Sequence, residues 1–423
     1  MKKLVVVGQG YVGLPLAMTA VRAGFDVVGL DNDEGRVERL RAGDSYIEDI
    51  EDAAVLSALA GRFAGTYTVT ADPAEAKGFD FAVITVPTPL RDGNPDMTYV
   101  ESAGRTLGEH VTRGCTVVLE STTYPGSTED LLVPLLEAGS GLKAGSDFLV
   151  GYSPERIDPG NKTWTFERTP KIVSGINEAS RDAVAVFYGQ LVDKVVPVSS
   201  CKAAELAKLY ENTFRSVNIA LVNELALHST GLGIDVWETI EAAATKPFGF
   251  MKFTPGPGIG GHCLPIDPTY LAWQVKQVRG EPFRFIHLAN DVNERMPKYI
   301  ADRVLRGMNK RRKALQGSRV LCLGVAYKKD SRDTRESPAL HVLRHLKEYG
   351  PEIRVVDPHV RVLPKDLSDV ALVPLSVEEI AAADAVVICT DHSAIDYDLV
   401  VRHAQYIFDA RHCCRAADNV EYL

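Results

Sequence analysis

The sequence predicts an α/β protein with two doubly wound, Rossmann-like sheets joined by a long central helix and a helical region. Three observations predict it. An apolar strand near the N-terminus runs into a glycine-rich turn, a helical pattern extends from about residue 200 to 230, and a second set of apolar strands follows residue 318. We expect three domains, at residues 1–198, 199–310 and 311–423.

The first strand and its turn form a dinucleotide fingerprint. Lys3–Val7 is apolar and β-branched, as suits a strand buried on both faces, and glycines follow at positions 8, 10 and 13. A helical pattern comes next, so Gly8 and Gly10 lie where a pyrophosphate can approach a helix N-terminus. The second strand ends at Asp31, about 20 residues on, where an acid can hydrogen-bond the ribose hydroxyls. The pattern predicts NAD as the cofactor.

Further apolar runs complete two sheets. Residues 81–86 and 116–120 end in polar or proline-rich segments, the kind of strand end where open α/β sheets place ligands. Residues 319–324, 353–357, 385–389 and 406–409 predict a second sheet, whose second strand also ends in an acid. This half lacks a full glycine fingerprint, so it should hold a different nucleotide ligand or none.

The helical pattern of residues 200–230 has apolar positions on one side and no proline or glycine. It is long for a globular helix. It can serve as a spine between domains and as the interface of a homodimer or higher homo-oligomer, but a buried helix within one chain fits the pattern equally well.

Composition narrows the functional classes. The 423 residues carry a net charge of −9, which offers no footprint for nucleic acid. No apolar run approaches the roughly 20 residues that span a bilayer, and the N-terminus has the character of a strand and not of a signal peptide. The seven cysteines have no paired metal spacing. We therefore expect a cytoplasmic protein with reduced thiols, no metal and no membrane partner.

Cys263 lies in a loop with glycines at 258, 260 and 261. A cysteine that merely fills a core would not need these glycines, although a small buried hydrophobe is the usual role of the residue. A nucleophilic thiol can capture an aldehyde, so Cys263 suggests that an alcohol is oxidised twice, through an aldehyde to an acid. His262 is left out of the predicted catalytic set, because adjacent side chains usually point apart.

Six segments together resemble the nucleotide-sugar 6-dehydrogenases, also called the UDP-glucose/GDP-mannose dehydrogenase family. They are residues 8–17, 120–126, 153–156, 205–212, 260–263 and 328–338. The resemblance implies four-electron oxidation of a UDP- or GDP-hexose to its uronic acid with two NAD⁺. It also implies an N-terminal NAD domain, a central helical domain and a C-terminal nucleotide-sugar domain. The product would feed a capsule, lipopolysaccharide or cell-wall polymer.

The resemblance also implies residue roles. Cys263 would be the nucleophile, Lys208 and Asn212 would stabilise oxyanions, and Asp267 would work with the lysine on a bound water. Thr122 and Glu155 would lie near the reacting carbon, with Glu155 as the base for thioester hydrolysis. The residues alone favoured a simpler interpretation, a surface ion pair of Glu205 with Lys208 and a capping asparagine.

Binding residues follow from the fingerprint and the resemblance. For NAD they are Gly8, Gly10, Tyr11, Val12, Gly13, Asp31, Arg36, Pro87, Thr88, Thr122 and Arg335. For the nucleotide sugar they are Glu155, Arg156, Lys208, Asn212, Lys252, Phe253, Gly260, Lys328 and Arg411. Lysine and arginine suit the oxygens of a diphosphate.

The sugar itself is harder to assign from sequence. Residues 13–17 and 154–160 look most like the branch that oxidises UDP-N-acetylhexosamines, particularly UDP-N-acetylglucosamine. UDP-N-acetylmannosamine and UDP-glucose stay open. Arg156 replaces an apolar residue of the UDP-glucose branch, so we expect it to donate to an N-acetyl carbonyl or a neighbouring hydroxyl.

Two functions of other classes are more remote. A two-electron β-hydroxyacid dehydrogenase shares an NAD domain followed by long helices, but it lacks the second α/β domain and the cysteine. A non-enzymatic NAD-binding sensor would have no reason to keep Cys263, Lys208, Asn212 and Asp267 together.

Overall fold

The computed structural model describes residues 1–47, 49–158, 161, 163–261 and 264–423. The chain forms two compact units. The first comprises Met1–Glu211 and Thr269–Gly280, and the second comprises Asn212–Pro268 and Glu281–Leu423.

The first unit contains a large sheet flanked by helices and a separate antiparallel pair of short strands, Leu90–Arg91 and Asn94–Pro95. Its strands are β1 (Lys3–Val7), β2 (Asp26–Leu30), β3 (Thr66–Thr70), β4 (Phe81–Ile84), β5 (Leu90–Arg91), β6 (Asn94–Pro95), β7 (Thr116–Leu119), β8 (Leu149–Tyr152), β9 (Lys171–Gly175) and β10 (Val195–Pro197). Its helices are α1 (Gly13–Arg22), α2 (Glu34–Arg41), α3 (Asp52–Leu59), α4 (Thr98–Gly108), α5 (Val133–Ser140) and α6 (Glu178–Tyr188).

The strand order of the first sheet is β10-β9-β8-β7-β4-β1-β2-β3. Strand β9 pairs antiparallel with β8, whereas the other neighbours in this sheet pair in parallel. The chain moves outward from β1 through β2 and β3, and then returns to place β4 on the other side of β1. This reversal is a topological switch point, and open α/β sheets bind ligands at the carboxyl ends of the strands there.

Two long helices pass from one unit to the other. Helix α7 (Cys201–Leu232) begins after Ser200, whose hydroxyl accepts the backbone N–H of Ala203, and ends at Gly233, which has φ +71°. Helix α9 (Asp267–Arg279) follows the cysteine loop.

The second unit contains the remaining elements. Its helices are α8 (Val236–Ala244), α10 (Arg284–Lys310), α11 (Pro338–Lys347), α12 (Val377–Ala382) and α13 (Tyr397–His403). Its strands are β11 (Arg319–Leu323), β12 (Glu352–Val356), β13 (Ala371–Leu372), β14 (Ala385–Ile388), β15 (Ile407–Asp409) and β16 (Val420–Tyr422). The sheet order is β13-β12-β11-β14-β15-β16, with parallel neighbours.

The predicted fold class is confirmed. Each unit has its own doubly wound sheet, and the helix expected near residues 200–230 is α7. The strands predicted at residues 3–7, 81–86, 116–120, 319–324, 353–357, 385–389 and 406–409 begin and end within two residues of the observed β1, β4, β7, β11, β12, β14 and β15. Within the described part of the chain, no helix combines the length and apolarity needed to cross a bilayer.

Candidate active site

The glycine turn after strand β1 is too tight for side chains at two positions. Gly8 has φ +92°, and a Cβ there would lie 2.8 Å from the carbonyl oxygen of Thr85. A Cβ on Gly13 would overlap the carbonyl oxygen of Gly8. At Gly10, by contrast, a Cβ would point into open space. The backbone of this turn is therefore accessible at the start of helix α1, which fits a bound pyrophosphate.

Asp31, which follows strand β2, is hydrogen-bonded to the glycine turn after strand β1. Its buried carboxylate accepts the backbone N–H of Gln9 at 2.8 Å and that of Asp33 at 2.9 Å. The guanidinium of Arg36 lies 3.8 Å from the same carboxylate. The acid and the arginine predicted to lie near the adenosine ribose are thus neighbours, and the arrangement fits a dinucleotide.

Other predicted cofactor residues lie in the turn and at the carboxyl ends of two neighbouring strands. Tyr11 is 37% exposed, and Val12 precedes helix α1 as its N-cap residue. Strand β4 leads to Pro87, which is exposed, and Thr88, which is buried. Strand β7 pairs with β4 and leads to the half-buried Thr122.

Glu155 and Arg156 lie in the loop after strand β8 and are held in different ways. The Glu155 carboxylate accepts the backbone N–H of Arg156 at 2.6 Å and receives the Lys171 ammonium at 3.2 Å. The guanidinium of Arg156 binds both carboxylate oxygens of Glu211, at 2.8 and 3.2 Å, and donates to the carbonyl of Pro170 at 2.7 Å.

Electrostatics keep Glu155 ionised. Burial alone would raise the pKa of Glu155, but the Lys171 ammonium, a hydrogen bond with the Glu120 carboxyl and the charge of Lys208 together hold this pKa well below its usual range. Lys208 therefore acts electrostatically on Glu155.

The simpler interpretation of helix α7 is wrong. Glu205 is fully buried and accepts hydrogen bonds from Gly126, Ser127 and Thr128. It therefore anchors the loop after strand β7, and it does not form the expected surface ion pair with Lys208. Nor does Asn212 cap a helix, because it lies inside α7.

Asn212 contacts the predicted acid of the cysteine loop. Both side chains are buried, and the Asn212 amide donates to the Asp267 carboxylate at 2.5 Å. Asp267 opens helix α9. Cys263 and His262 themselves lie outside the described residues, so their predicted contacts are not addressed by the geometry.

The glycines before Cys263 have a packing reason that the sequence did not reveal. A Cβ on Gly260 would lie 2.7 Å from both the Glu336 carbonyl oxygen and the Pro338 ring. Gly261 has φ +81° and packs against the ring of Tyr327. The loop backbone therefore lies directly against the segment that precedes helix α11.

An open cavity of about 350 Å³ lies in the second unit near this loop. Its lining combines cations with a glycine-rich backbone: Arg215, Ile219, Lys252, Phe253, Thr254, Gly256, Gly258 and Arg411. The Arg411 guanidinium is oriented by Asp391 at 3.2 Å. Three of the predicted substrate residues, Lys252, Phe253 and Arg411, are thus brought together, and Arg215 is an addition that sequence reasoning missed.

Lys328 and Arg335 are not among the residues that line this cavity. Lys328 is half-buried after strand β11, and the Arg335 guanidinium binds Asp333 at 2.6 Å. The predicted approach of Arg335 to the cofactor stays a prediction.

Sequence reasoning also missed a buried group next to Glu155. Lys171 forms ion pairs with Glu120 and Glu155, and the Tyr188 hydroxyl donates to Glu120 at 2.5 Å. Two charged residues next to apolar strands could have indicated this group. Glu120 directly follows one apolar strand, and Lys171 begins another.

Two nucleotide-type sheets, a dinucleotide turn and a buried amide–acid pair close in sequence to Cys263 define an NAD-dependent dehydrogenase. The family comparison agrees over nearly the whole chain. Residues 2–192 match the NAD-binding domain of the UDP-glucose/GDP-mannose dehydrogenase family, residues 202–295 its central domain, and residues 321–416 its UDP-binding domain. The chain belongs to this family and is a nucleotide-sugar dehydrogenase that uses NAD. The β-hydroxyacid dehydrogenase and the non-enzymatic sensor are thereby set aside.

Individual relatives are similar along most of their length. Protein CapL of Staphylococcus aureus is 40% identical over 84% of this chain and 82% of its own. The UDP-N-acetyl-D-glucosamine 6-dehydrogenase of Pseudomonas aeruginosa is 36% identical over 92% of this chain and 90% of its own. The solved structure of a UDP-D-ManNAc dehydrogenase from Pyrococcus horikoshii superposes with a TM-score of 0.88 at 34% identity, covering 99% of this chain and 98% of that one.

Proposed function

We propose that the protein oxidises the 6-hydroxymethyl group of a UDP-N-acetylhexosamine, and specifically of UDP-N-acetylglucosamine, to the uronic acid with two NAD⁺. The observation that carries the proposal is the contact of Asn212 with Asp267, four residues after Cys263. It joins two residues to which the resemblance gives roles at one reacting carbon.

The oxyanions would be stabilised from helix α7. Lys208 and Asn212 are four residues apart on this helix, a spacing that directs both side chains to one side. An ammonium and an amide N–H favour the alkoxide and the tetrahedral oxyanions, and loss of one well-placed donor of this kind lowers a rate by about 10²- to 10³-fold. Asp267 would fix the Asn212 amide and work with Lys208 on a bound water.

Cys263 would carry the second oxidation. NAD⁺ supplies the hydride acceptor when it is bound. The Cys263 thiolate adds to the aldehyde to give a thiohemiacetal, loss of a second hydride leaves a thioester, and water releases the acid. Glu155, held as a carboxylate, would take the proton of that water, with Thr122 nearby.

The cavity of the second unit would hold the uridine diphosphate. Arg215, Lys252 and Arg411 provide cations for the diphosphate oxygens, and Phe253 provides an apolar surface. Lys328, Gly260, Glu155 and Arg156 complete the predicted binding residues.

The choice of N-acetylglucosamine is supported by the Pseudomonas relative. The Pyrococcus structure favours N-acetylmannosamine as the second candidate. Epimers differ in the direction of one substituent, so pocket geometry decides between them. The product would enter capsule, lipopolysaccharide or cell-wall synthesis, and the expected compartment is the cytoplasm.

The experiment is a panel assay of NADH formation with UDP-N-acetylglucosamine, UDP-N-acetylmannosamine and UDP-glucose, with the product mass measured. We expect two NADH per sugar and the highest kcat/KM with UDP-N-acetylglucosamine. A preference for either other sugar would refute the substrate assignment, and one NADH with a stable aldehyde would refute the thiol mechanism.

The Cys263→Ser variant tests the nucleophile. We expect acid formation to fall by more than about 10³-fold, as happens when a covalent nucleophile is removed. Cys413→Ser is the matched control, because Cys413 is a free, half-buried thiol elsewhere in the chain. Normal acid formation by Cys263→Ser would contradict the mechanism.

We also propose a homodimer formed through helix α7. Large apolar side chains are exposed along this helix, and an exposed apolar stripe is typical of an interface. They are Leu206, Tyr210, Phe214, Leu221, Leu225 and Leu232, between 39% and 72% exposed.

A further inference from the structure

A group of ionisable side chains is buried in the first unit beside Glu155. We define the Glu120 cluster as Glu120, Glu155, Lys171 and Tyr188. Glu120 and Tyr188 are fully buried, and Lys171 is 4% exposed. The reaction described above uses neither Glu120 nor Lys171. Burying charged groups is unfavourable unless they are well paired, so their position needs another explanation.

The sheet topology brings the cluster together. Glu120 directly follows strand β7, and Glu155 lies three residues after strand β8. These strands are parallel neighbours, so both carboxyls lie at one edge of the sheet. Strand β9 is antiparallel to β8, and its first residue, Lys171, therefore starts at the same edge.

Lys171 is shared by the two carboxyls. Its ammonium donates to Oε1 of Glu120 and, at 3.2 Å, to Oε2 of Glu155. The hydroxyl of Tyr188 donates to the other oxygen of Glu120 at 2.5 Å. The two carboxyls are therefore joined through one ammonium.

A further cation acts on the cluster. Lys208 acts on Glu155 from helix α7. The Lys171 ammonium lies 5.4 Å from the centre of the Phe166 ring and 5.1 Å from that of Tyr188. With both carboxyls ionised, two buried carboxylates would have to share the Lys171 ammonium as their ion-pair partner, with Lys208 contributing only through its charge.

The cluster therefore favours a state with one proton on the carboxyl pair. Burial raises the pKa of Glu120 well above its usual range, and the nearby Glu155 adds to this, although Lys171 opposes it. The pKa of Glu155 is lowered by the causes given above. The two carboxyls titrate as a pair, and the backbone N–H groups of Arg156 and Ile157 favour the ionised form of Glu155.

We propose that Glu120, acting through Lys171, is a positioning residue that makes Glu155 an effective base for hydrolysis of the thioester. The inference rests on the proposed function, because the Cys263 thioester is the reactant. A lone carboxylate held by an ammonium and by backbone N–H groups binds a proton weakly. When Glu120 and Glu155 are both ionised, the Glu120 carboxylate repels Glu155 and competes with it for the Lys171 ammonium. Both effects increase the proton affinity of Glu155.

The step balances without an oxidant. The water oxygen bonds to the acyl carbon while one water proton passes to Glu155. The C–S bond breaks, and its electron pair leaves on the Cys263 sulfur as a thiolate. The acid contains the water oxygen, and the proton held by the Glu120–Glu155 pair is released to solvent when the pair ionises again.

The test is rapid-quench kinetics of Glu120→Gln with the nucleotide sugar and NAD⁺. Glutamine keeps the shape and removes the second ionisable group. It has one acceptor oxygen where glutamate has two, so it can accept from either Lys171 or Tyr188 but not from both. We expect a burst of two NADH per active site, followed by a steady rate about 10²-fold below that of the wild type. KM should fall together with the steady rate, so that kcat/KM stays unchanged, because only a step after acylation is slowed. The acyl-enzyme should accumulate on Cys263, visible as added mass in the acid-quenched protein.

The pH dependence provides a second readout. The base form of the pair is the doubly ionised one, so hydrolysis in the wild type should accelerate as pH rises through the raised pKa of the pair. Glu120→Gln should lose this rise. Tyr188→Phe removes a donor that favours ionised Glu120, so it should move the rise to higher pH by about one unit.

A similar trio in the second unit supplies matched controls. Tyr406 is buried and donates to Glu421 at 3.0 Å, and Glu421 pairs with Arg303 at 2.8 Å. Glu421→Gln and Tyr406→Phe should therefore show neither the burst nor the altered pH profile.

The outcomes are distinguishable. A normal steady rate and an unchanged pH profile in Glu120→Gln, or the same burst in Glu421→Gln, would overturn the inference. If Glu120→Gln does not fold, Tyr188→Phe decides, and an unshifted profile in it would count against the inference. If the wild type forms only one NADH per sugar, the proposed function fails whatever the variants do.

Discussion

Arg156 was expected to recognise the sugar, and its contacts show that it also connects a loop to helix α7. Its guanidinium ties the loop after strand β8 to Glu211 of helix α7 and to the carbonyl of Pro170. Glu211 directly precedes Asn212 in this helix. Arg156 can therefore influence specificity by touching the substrate or by holding two predicted catalytic segments together.

Two variants separate these roles. Arg156→Leu removes the guanidinium, whereas Glu211→Gln weakens the same ion pair and leaves the guanidinium in place. If Arg156 donates to the N-acetyl group, the first variant should reduce the kcat/KM ratio for UDP-N-acetylglucosamine over UDP-glucose by about 10- to 100-fold, and the second should leave it unchanged. Competition assays with both sugars measure the ratio. Equal changes in both variants would mean that Arg156 acts through helix α7.

At the residue scale, the sequence indicated which residues could take part in catalysis, but it did not indicate their hydrogen-bond partners. Lys208, Asn212 and Asp267 were selected only through the family resemblance. The direct interpretation of Glu205 as a surface acid failed, because its hydrogen-bond donors come from a loop about 77 residues away in sequence. Asn212 and Asp267 are 55 residues apart, and no local pattern predicts their hydrogen bond.

At the scale of elements, the glycine-rich loop before Cys263 is fixed by close backbone contacts. Gly258 has φ +128°, and a Cβ there would lie 2.9 Å from the carbonyl oxygen of Asn293 in helix α10. A Cβ on Gly260 would lie 2.7 Å from the carbonyl oxygen of Glu336 and from the Pro338 ring. These contacts involve backbone or ring atoms, which cannot move aside easily.

Gly260→Ala should therefore destabilise the protein by about 1–3 kcal/mol, because overpacking forces the loop or its neighbour to shift. Thermal unfolding measures the change, and NADH formation should fall with it, since the loop carries Cys263. Gly231→Ala is the control. Gly231 lies in helix α7, and a Cβ there would point into open space, so alanine should stabilise by about 0.5–1 kcal/mol. Equal melting temperatures in the two variants would contradict the packing argument.

Strands could be predicted from the sequence where nearly every residue of the strand is buried. Strands β1, β4, β7 and β14 are buried on both faces and appear in the sequence as continuous apolar runs. Strand β9 is different because it pairs antiparallel with β8, and direction cannot be deduced from composition. That reversal places Lys171 beside Glu120 and Glu155, so the cluster could not be predicted from sequence.

At the scale of the whole molecule, the two sheets use an acid in the same structural place. Asp31 follows the second strand of the first sheet and holds the turn after its first strand through Gln9. Asp357 follows β12 and accepts the backbone N–H groups of Val325 and Ala326 after β11. Its burial would raise the pKa of Asp357, but a hydrogen bond from His392 and these N–H groups outweigh burial and hold it well below its usual range. Asp357 thus holds its turn by the same kind of contact as Asp31, and His392 is an additional partner.

The proposed homodimer also belongs to this scale, because it depends on a surface and not on a site. Leu221 is 65% exposed and Leu225 43%, and the two are four residues apart on helix α7, so they lie on one side of it. Such side chains are rarely left in water along a single stripe unless a partner covers them. A second copy of the chain would bury the same stripe from both sides of a two-fold axis.

The double substitution Leu221→Glu with Leu225→Glu should dissociate the dimer, because four like charges would meet across a self-complementary interface. Light scattering after size-exclusion chromatography should give twice the 46.1 kDa of one chain for the wild type and a single-chain mass for the variant. Val362→Glu is the control, since Val362 is 78% exposed and lies outside helix α7. It should remain a dimer. A wild type that elutes as a single chain, or a double variant that stays dimeric with unchanged circular dichroism, would rule out this interface.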